Sequence, residues 1–220
     1  MKNKEYQSLC DAIRHKCMTQ QWYGPEFRSP TRAYMVAEDD PRRVGFKFPP
    51  ATEEELRETE TILGFSLPSI LRALYTQVAN GDFGPAYGLR GVIGGAPEKA
   101  GTIAAWYKIR AEVLKFFNLG DSAIQQGKDF TFSNPFWPRS LLSICDWGCG
   151  THIGVDCVTN SVVRIEPLED GYCLIYLTDS LEKWLHQWIR GELYPQRIIS
   201  AKEALIAERL LRGEQPSDYF

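Results

Sequence analysis

Residues 145 to 152 read CDWGCGTH, and two cysteines and a histidine within eight residues raise two chemical possibilities. The first is zinc, with Cys145, Cys149 and His152 as ligands and Cys157 or Asp156 as a fourth. A structural zinc requires four ligands converging as a tetrahedron. The second is a thiol hydrolase, with Cys149 as nucleophile, His152 as base and Asp156 as the group orienting it. Such partners normally project from separate elements into one cleft, so this sequential crowding argues against it. The flanking residues alternate as strands, which sends neighbouring side chains to opposite faces and works against convergence of either set. We therefore expect a turn between two strands, with the thiols serving as small hydrophobes. His15 and His186 read as surface histidines. No metal, cofactor or catalytic residue is expected.

Charge and aromatic character point instead to contact with another protein. Glu53, Glu54, Glu55, Glu58 and Glu60 crowd one predicted helix, with Glu54 and Glu58 four apart on one face. Carboxylates at a helix start complement its dipole, and an exposed acidic face would also attract a basic partner. The stretch GDFGPAYGLRGVIGG is glycine-rich, but it lacks the Lys-Ser or Lys-Thr ending of a P-loop and the spacing of a dinucleotide fingerprint. Phe83 and Tyr87 lie within it, and Phe136 and Trp137 precede the predicted strands. Loop aromatics either anchor a partner or close over the core as lids. The candidate protein-binding residues are thus Glu54, Glu58, Asp82, Phe83, Tyr87 and Trp137.

These residues must be carried by definable elements. Tyr6, Leu9, Cys10, Ile13 and Cys17 have helical spacing, predicting a helix over about 4–18. A proline-rich connection follows, with one short strand expected near 33–37. Thr52 and Glu55 form a capping box, Leu56, Thr59, Ile62 and Leu63 mark a buried stripe, and Gly64 supplies a left-handed stop. A second helix begins around Pro68, presents Ile70, Leu71, Leu74, Tyr75 and Val78, and is expected to end at Asn80-Gly81. A short strand is predicted over 89–93 and another helix over 102–117. Segments 141–147, 152–158, 162–167 and 173–177 read as an antiparallel meander. Ser180 caps a helix burying Leu181, Trp184, Leu185 and Trp188, and Ser200 with Glu203 begins a last helix. Helices, then strands, then helices describe an α+β fold rather than alternating βαβ units.

Bulk properties agree with a folded chain of ordinary composition. Of 220 residues, 44% are hydrophobic and 24% charged, enough apolar surface to offset chain entropy. Residues 1–48 carry nine basic against six acidic groups, whereas 49–190 carry twelve against seventeen. That acidic body has no basic stripe for a phosphate backbone, so no direct nucleic-acid ligand is expected. No apolar run approaches a membrane span, and charges interrupt the N-terminus where a signal peptide needs an apolar stretch. We expect a cytoplasmic protein whose six cysteines are reduced.

The ordered set of Leu63-Gly64, Leu67-Pro68, Asn80-Gly81, the aromatic glycine-rich loop 83–88, Asp146 to Gly150 with Asp156, and Trp184 with Trp188 resembles the SMI1/KNR4 family, or SUKH superfamily, over about 49–191. The resemblance implies a curved, mainly antiparallel sheet flanked by helices, and a non-catalytic protein-binding role. Bacterial members look like immunity proteins neutralising toxins of polymorphic or contact-dependent systems, and fungal members like regulatory scaffolds for cell-wall synthesis and signalling. A cognate toxin is accordingly the expected partner. Residues 1–48 and 192–220 are expected to be packed extensions of one domain spanning 1–220.

Overall fold

The computed structural model describes residues 5–19, 46–96, 101–116, 139–148, 150–168 and 171–193. The predicted strand at 33–37, the last helix from Ser200 and residues 117–138, Trp137 included, lie outside these.

Local chemistry sets the first helical hairpin. In α2 (Glu53–Leu63) the Thr52 hydroxyl accepts from Glu55 N at 3.2 Å, and Thr52 N donates to Glu55 Oε2 at 2.7 Å. Two otherwise orphaned donors are satisfied. Gly64, at φ +76°, closes the helix in the left-handed region that favours glycine, its N–H donating to Glu60 O at 2.9 Å. Glu60 then ties the turn, accepting from Leu67 N at 2.8 Å and from Arg72 Nη1 at 2.7 Å. Pro68 occupies the cap position of α3 (Ser69–Gln77), which ends three residues before the expected Asn-Gly stop. Leu56, Leu63, Leu71, Leu74 and Tyr75 from the two helices are buried.

The meander has the expected order. β1 (Leu141–Gly148), β2 (Thr151–Asp156), β3 (Val162–Leu168) and β4 (Gly171–Thr178) form one four-stranded antiparallel sheet, each strand beside the next in sequence. The register of β1 on β2 slips between Ser143 and Cys145, so Ile144 and Cys145 both oppose Ile153 and both are buried. Such a bulge inserts one residue and bends the strand. Leu142, Ile144, Cys145, Ile153, Val155 and Val162 pack into the main core with α3 and α5 (Leu181–Ile189).

The opposite sheet face meets α4 (Ile103–Phe116). Gly154 is needed on that face: a Cβ there would stand 2.7 Å from Ile165 Cδ1 and 2.8 Å from Leu141 Cδ1. α1 (Gln7–Thr19) adds Leu9, Cys10, Ile13 and Cys17 to the same core cluster as α2, α3 and α5. Lys16 Nζ donates to Ile189 O at 3.3 Å and lies 5.4 Å from the Trp188 ring centroid. The Arg14 guanidinium also donates to Gln77 O.

The predicted strand over 89–93 is the main departure. Only Leu89 bridges the sheet, opposite Cys145. The Asn80 side chain claims the next backbone groups, accepting from Val92 N at 2.8 Å and donating to Ile93 O at 3.1 Å, while Ile93 N donates to Thr59 Oγ1 at 3.1 Å. Those groups are no longer offered to a ladder.

Candidate interaction surface

Among the acidic residues of α2, neighbours decide which remain available. Glu55 is spent on the capping box and Glu60 on Leu67 and Arg72, and Glu53 pairs with the second Arg72 nitrogen. Glu54 and Glu58 are exposed and take no hydrogen bond or ion pair among the described residues. Like charges four apart on a helix repel mildly. Among the described residues, α2 therefore presents two unneutralised carboxylates side by side on an outward face.

The glycine-rich loop is a plug, not a flap. Phe83 is completely buried, its ring edge-on to Phe46 at 6.2 Å between centroids. Asp82 is buried as well and holds φ at +62°, as Ala86 does at +56°. Left-handed backbone at residues with a Cβ costs on the order of 1–2 kcal/mol each, so the surrounding contacts must over-determine this loop. They do so through Asp82 N to Leu89 O at 2.8 Å, Arg90 N to Ile144 O at 2.7 Å and Tyr87 N to Asp146 O at 3.3 Å. Of the two roles weighed for the aromatics, Phe83 takes that of a lid, because the bonds on either side pull it inward. Tyr87 stays half-buried at the rim. The six candidates thus divide into exposed Glu54 and Glu58, half-buried Tyr87, buried Asp82 and Phe83, and Trp137 outside the described residues.

The CDWGCGTH turn is divided by the pleat. Cys145 pairs in register with Ile153 and lies in the core, whereas His152 pairs with Asp146 on the face toward α4. Burial pushes the Cys145 thiol well above its ordinary range, a shift that the nearby Arg90 charge only partly opposes. Asp156 is occupied in its own turn, accepting from Val158 N at 3.0 Å and from Thr159 Oγ1 at 2.7 Å. Among the described residues, no three His, Cys, Asp or Glu side chains are grouped to hold a metal. Cys149 lies outside the described residues, but the base and orienting group weighed for it are both engaged elsewhere.

His152 instead belongs to a buried polar cluster that sequence reasoning passed over. Its centre is Arg90, 1% exposed, whose Nε donates to Ser143 Oγ at 3.3 Å and whose Nη2 stands 3.2 Å from His152 Nδ1. The Trp106 ring of α4 lies 5.6 Å from the guanidinium carbon and 4.8 Å from the His152 centroid, edge-on to the imidazole. Burial first, and then the Arg90 charge, push His152 down to about 4, against an opposing pull from Asp146. The ring is neutral near pH 7, and its Nδ1 accepts from the guanidinium. The only sequence signal for this cluster is a lone arginine in the apolar stretch GLRGVIG.

The helical hairpin, the plug loop bridged to β1, the meander and the tryptophan-bearing α5 follow one another in a single segment. The SMI1/KNR4 (SUKH-1) family model matches residues 50–187. The chain belongs to the SMI1/KNR4 family. This membership supports a protein-binding, immunity-type domain at the family level. The SMI1/KNR4 segment starts just before α2 and ends within α5, so α1 lies outside the match and nevertheless packs into its core. No curated protein matches the chain. None of the described helices is long and apolar enough to cross a membrane.

Proposed function

We propose that this SMI1/KNR4 protein is an immunity protein that binds and occludes a cognate toxin of a polymorphic or contact-dependent system, using the outward face of α2. One observation carries the choice of face: Glu54 and Glu58 stand exposed beside carboxylates that are all engaged within the fold. A basic toxin surface would recover the repulsion between them and be drawn in by long-range attraction, an effect expressed in association rate and salt dependence. Tyr87, at the rim of the plug loop, is the aromatic contact within the described residues, and Trp137 is a further candidate. Asp82 and Phe83 serve this reading by holding the loop that presents Tyr87. The function requires shape and charge complementarity rather than a reactive group.

The test is co-expression with the toxin encoded beside this gene, together with a binding measurement on the purified pair. Wild-type protein should rescue growth and form a stable complex. Glu54→Lys with Glu58→Lys should slow association about tenfold or more at low salt, with the difference shrinking as salt rises. Neither rescue nor a complex from the wild-type protein would refute the immunity reading, and an unchanged rate in the double variant would refute the α2 face.

A further inference from the structure

The plug loop follows α3 and carries an unusual run of left-handed backbone. Gly81, Asp82, Gly84, Ala86 and Gly88 lie between φ +56° and +102°, and such a run persists only where surrounding contacts over-determine it. On its exit side the loop is tied to β1, through Tyr87 N and Arg90 N to Asp146 O and Ile144 O. On its entry side Asn80 N donates to Pro49 O at 2.9 Å, and α1 adds a second hold.

Side chains of α1 reach backbone groups at the ends of other elements. The Arg14 guanidinium donates to Gln77 O, on the last residue of α3, and Lys16 Nζ donates at 3.3 Å to Ile189 O, on the last residue of α5. A helix leaves its final carbonyls without intrahelical donors, and a cation placed there also complements the dipole. α3 has no basic residue in its own last turn, so Arg14 supplies that cap from a separate helix. Asp11, three residues before Arg14, pairs with the other terminal nitrogen and steadies the guanidinium. One turn further on, Cys17 is completely buried in the core cluster that contains Phe83, with the backbone N–H of Gly84 directed at its sulfur. Arg14 and Cys17 thus meet the entry to the loop and its middle. Both belong to a helix outside the segment 50–187.

We propose that Arg14 and Cys17 are positioning residues for partner binding, holding the plug loop in the form that presents Tyr87. The role rests on the reading of Tyr87 as a partner contact. Neither residue needs to touch the partner. A loop already held in its bound form loses less freedom on binding, so affinity depends on α1 at a distance. The chain ahead of the family segment is then part of the binding machinery.

Amide exchange of the full chain, followed by NMR, and binding to the purified toxin encoded beside this gene test this. In Arg14→Met, Asp82 N and Leu89 N, which donate within the loop, should exchange about tenfold faster, the scale of one lost charge-assisted hydrogen bond. Gly64 N and Asp156 N, bonded elsewhere in the fold, should keep the wild-type rate. Arg14→Lys should restore most of the protection. Asp11→Ala, at an exposed position, should act in the same direction and decides the matter if Arg14→Met does not fold. Arg14→Met and Tyr87→Ala should each weaken toxin binding, and the double variant should bind no more weakly than Tyr87→Ala alone. Unchanged loop exchange overturns the proposal, as does an equal acceleration at all four amides, which would make Arg14 a contributor to global stability only. So does a double variant whose losses add. Wild-type binding by Tyr87→Ala is the failure of the Tyr87 contact itself and removes the positioning role with it. Absence of any complex from the wild-type protein fails the immunity reading and takes this role with it; the exchange comparison, which needs no partner, separates that failure from a loop that α1 does not hold.

Discussion

Acid should weaken this fold through His152. Its folded-state value of about 4 lies below the ordinary 6.5, because burial and the Arg90 charge oppose ionisation. Between these two values the unfolded chain binds a proton that the folded chain does not, so stability rises with pH across this window. The contribution is complete above 6.5 and is lost as pH falls toward 4. The shift at about 1.4 kcal/mol per unit sets a ceiling of about 3 kcal/mol. Solvent reaching the partly exposed ring trims this to about 2 kcal/mol. The structural origin is specific, since a proton added at Nδ1 removes the acceptor 3.2 Å from Arg90 Nη2 and places two cations together. Among the described residues, Gly101 O, Ser143 and the Trp106 ring also meet the guanidinium and do not titrate here, and Asp146 is the carboxylate that opposes the effect.

His152→Asn keeps an acceptor near Nδ1 and cannot titrate. Urea unfolding of both proteins at steps from pH 7 to pH 4 provides the comparison. His15, His186 and the carboxylates are common to both, so their contributions cancel in the difference. The wild-type protein should lose about 2 kcal/mol more than the variant across this range. Parallel stability curves would refute the reasoning, and so would an NMR titration of the His152 ring with a midpoint near 6.5.

Two further outcomes follow from the fold. Thr52→Ala removes the oxygen that accepts from Glu55 N, so chemical denaturation should show a loss of about 1 kcal/mol, and Thr52→Ser should restore most of it. Burial raises Cys10 to about 11 and Cys17 to about 12, so few thiolates exist at neutral pH. A thiol reagent should modify both cysteines far more slowly in the native protein than in urea, and modification at the denatured rate would contradict their placement in the core.

Bonds between near neighbours were readable directly from the chain. Thr52 with Glu55, Gly64 at a helix end, and Ser180 ahead of an apolar stripe each complete their chemistry within four residues. The four strands were readable because alternation and turn residues repeat locally. The segment 89–93 misled because its apolar residues suit a strand while the partner that takes their backbone groups, Asn80, lies a dozen residues away. The polar cluster was invisible for the same reason, since Arg90, Trp106, Ser143 and His152 come from a loop, a helix and two strands.

The sequence by itself determined both ends of α2 and the start of α5, the meander order, and an acidic helix face with Glu54 and Glu58 together, since all of these depend on periodicity and on contacts a few residues long. Only the tertiary structure decided that Glu53 and Glu60 are engaged by Arg72 while Glu54 and Glu58 take no partner among the described residues, that Phe83 is inside and Tyr87 at the rim, and that the pleat parts Cys145 from His152. Burial and charge pairing depend on which distant elements close over a residue, and only folding brings those elements together.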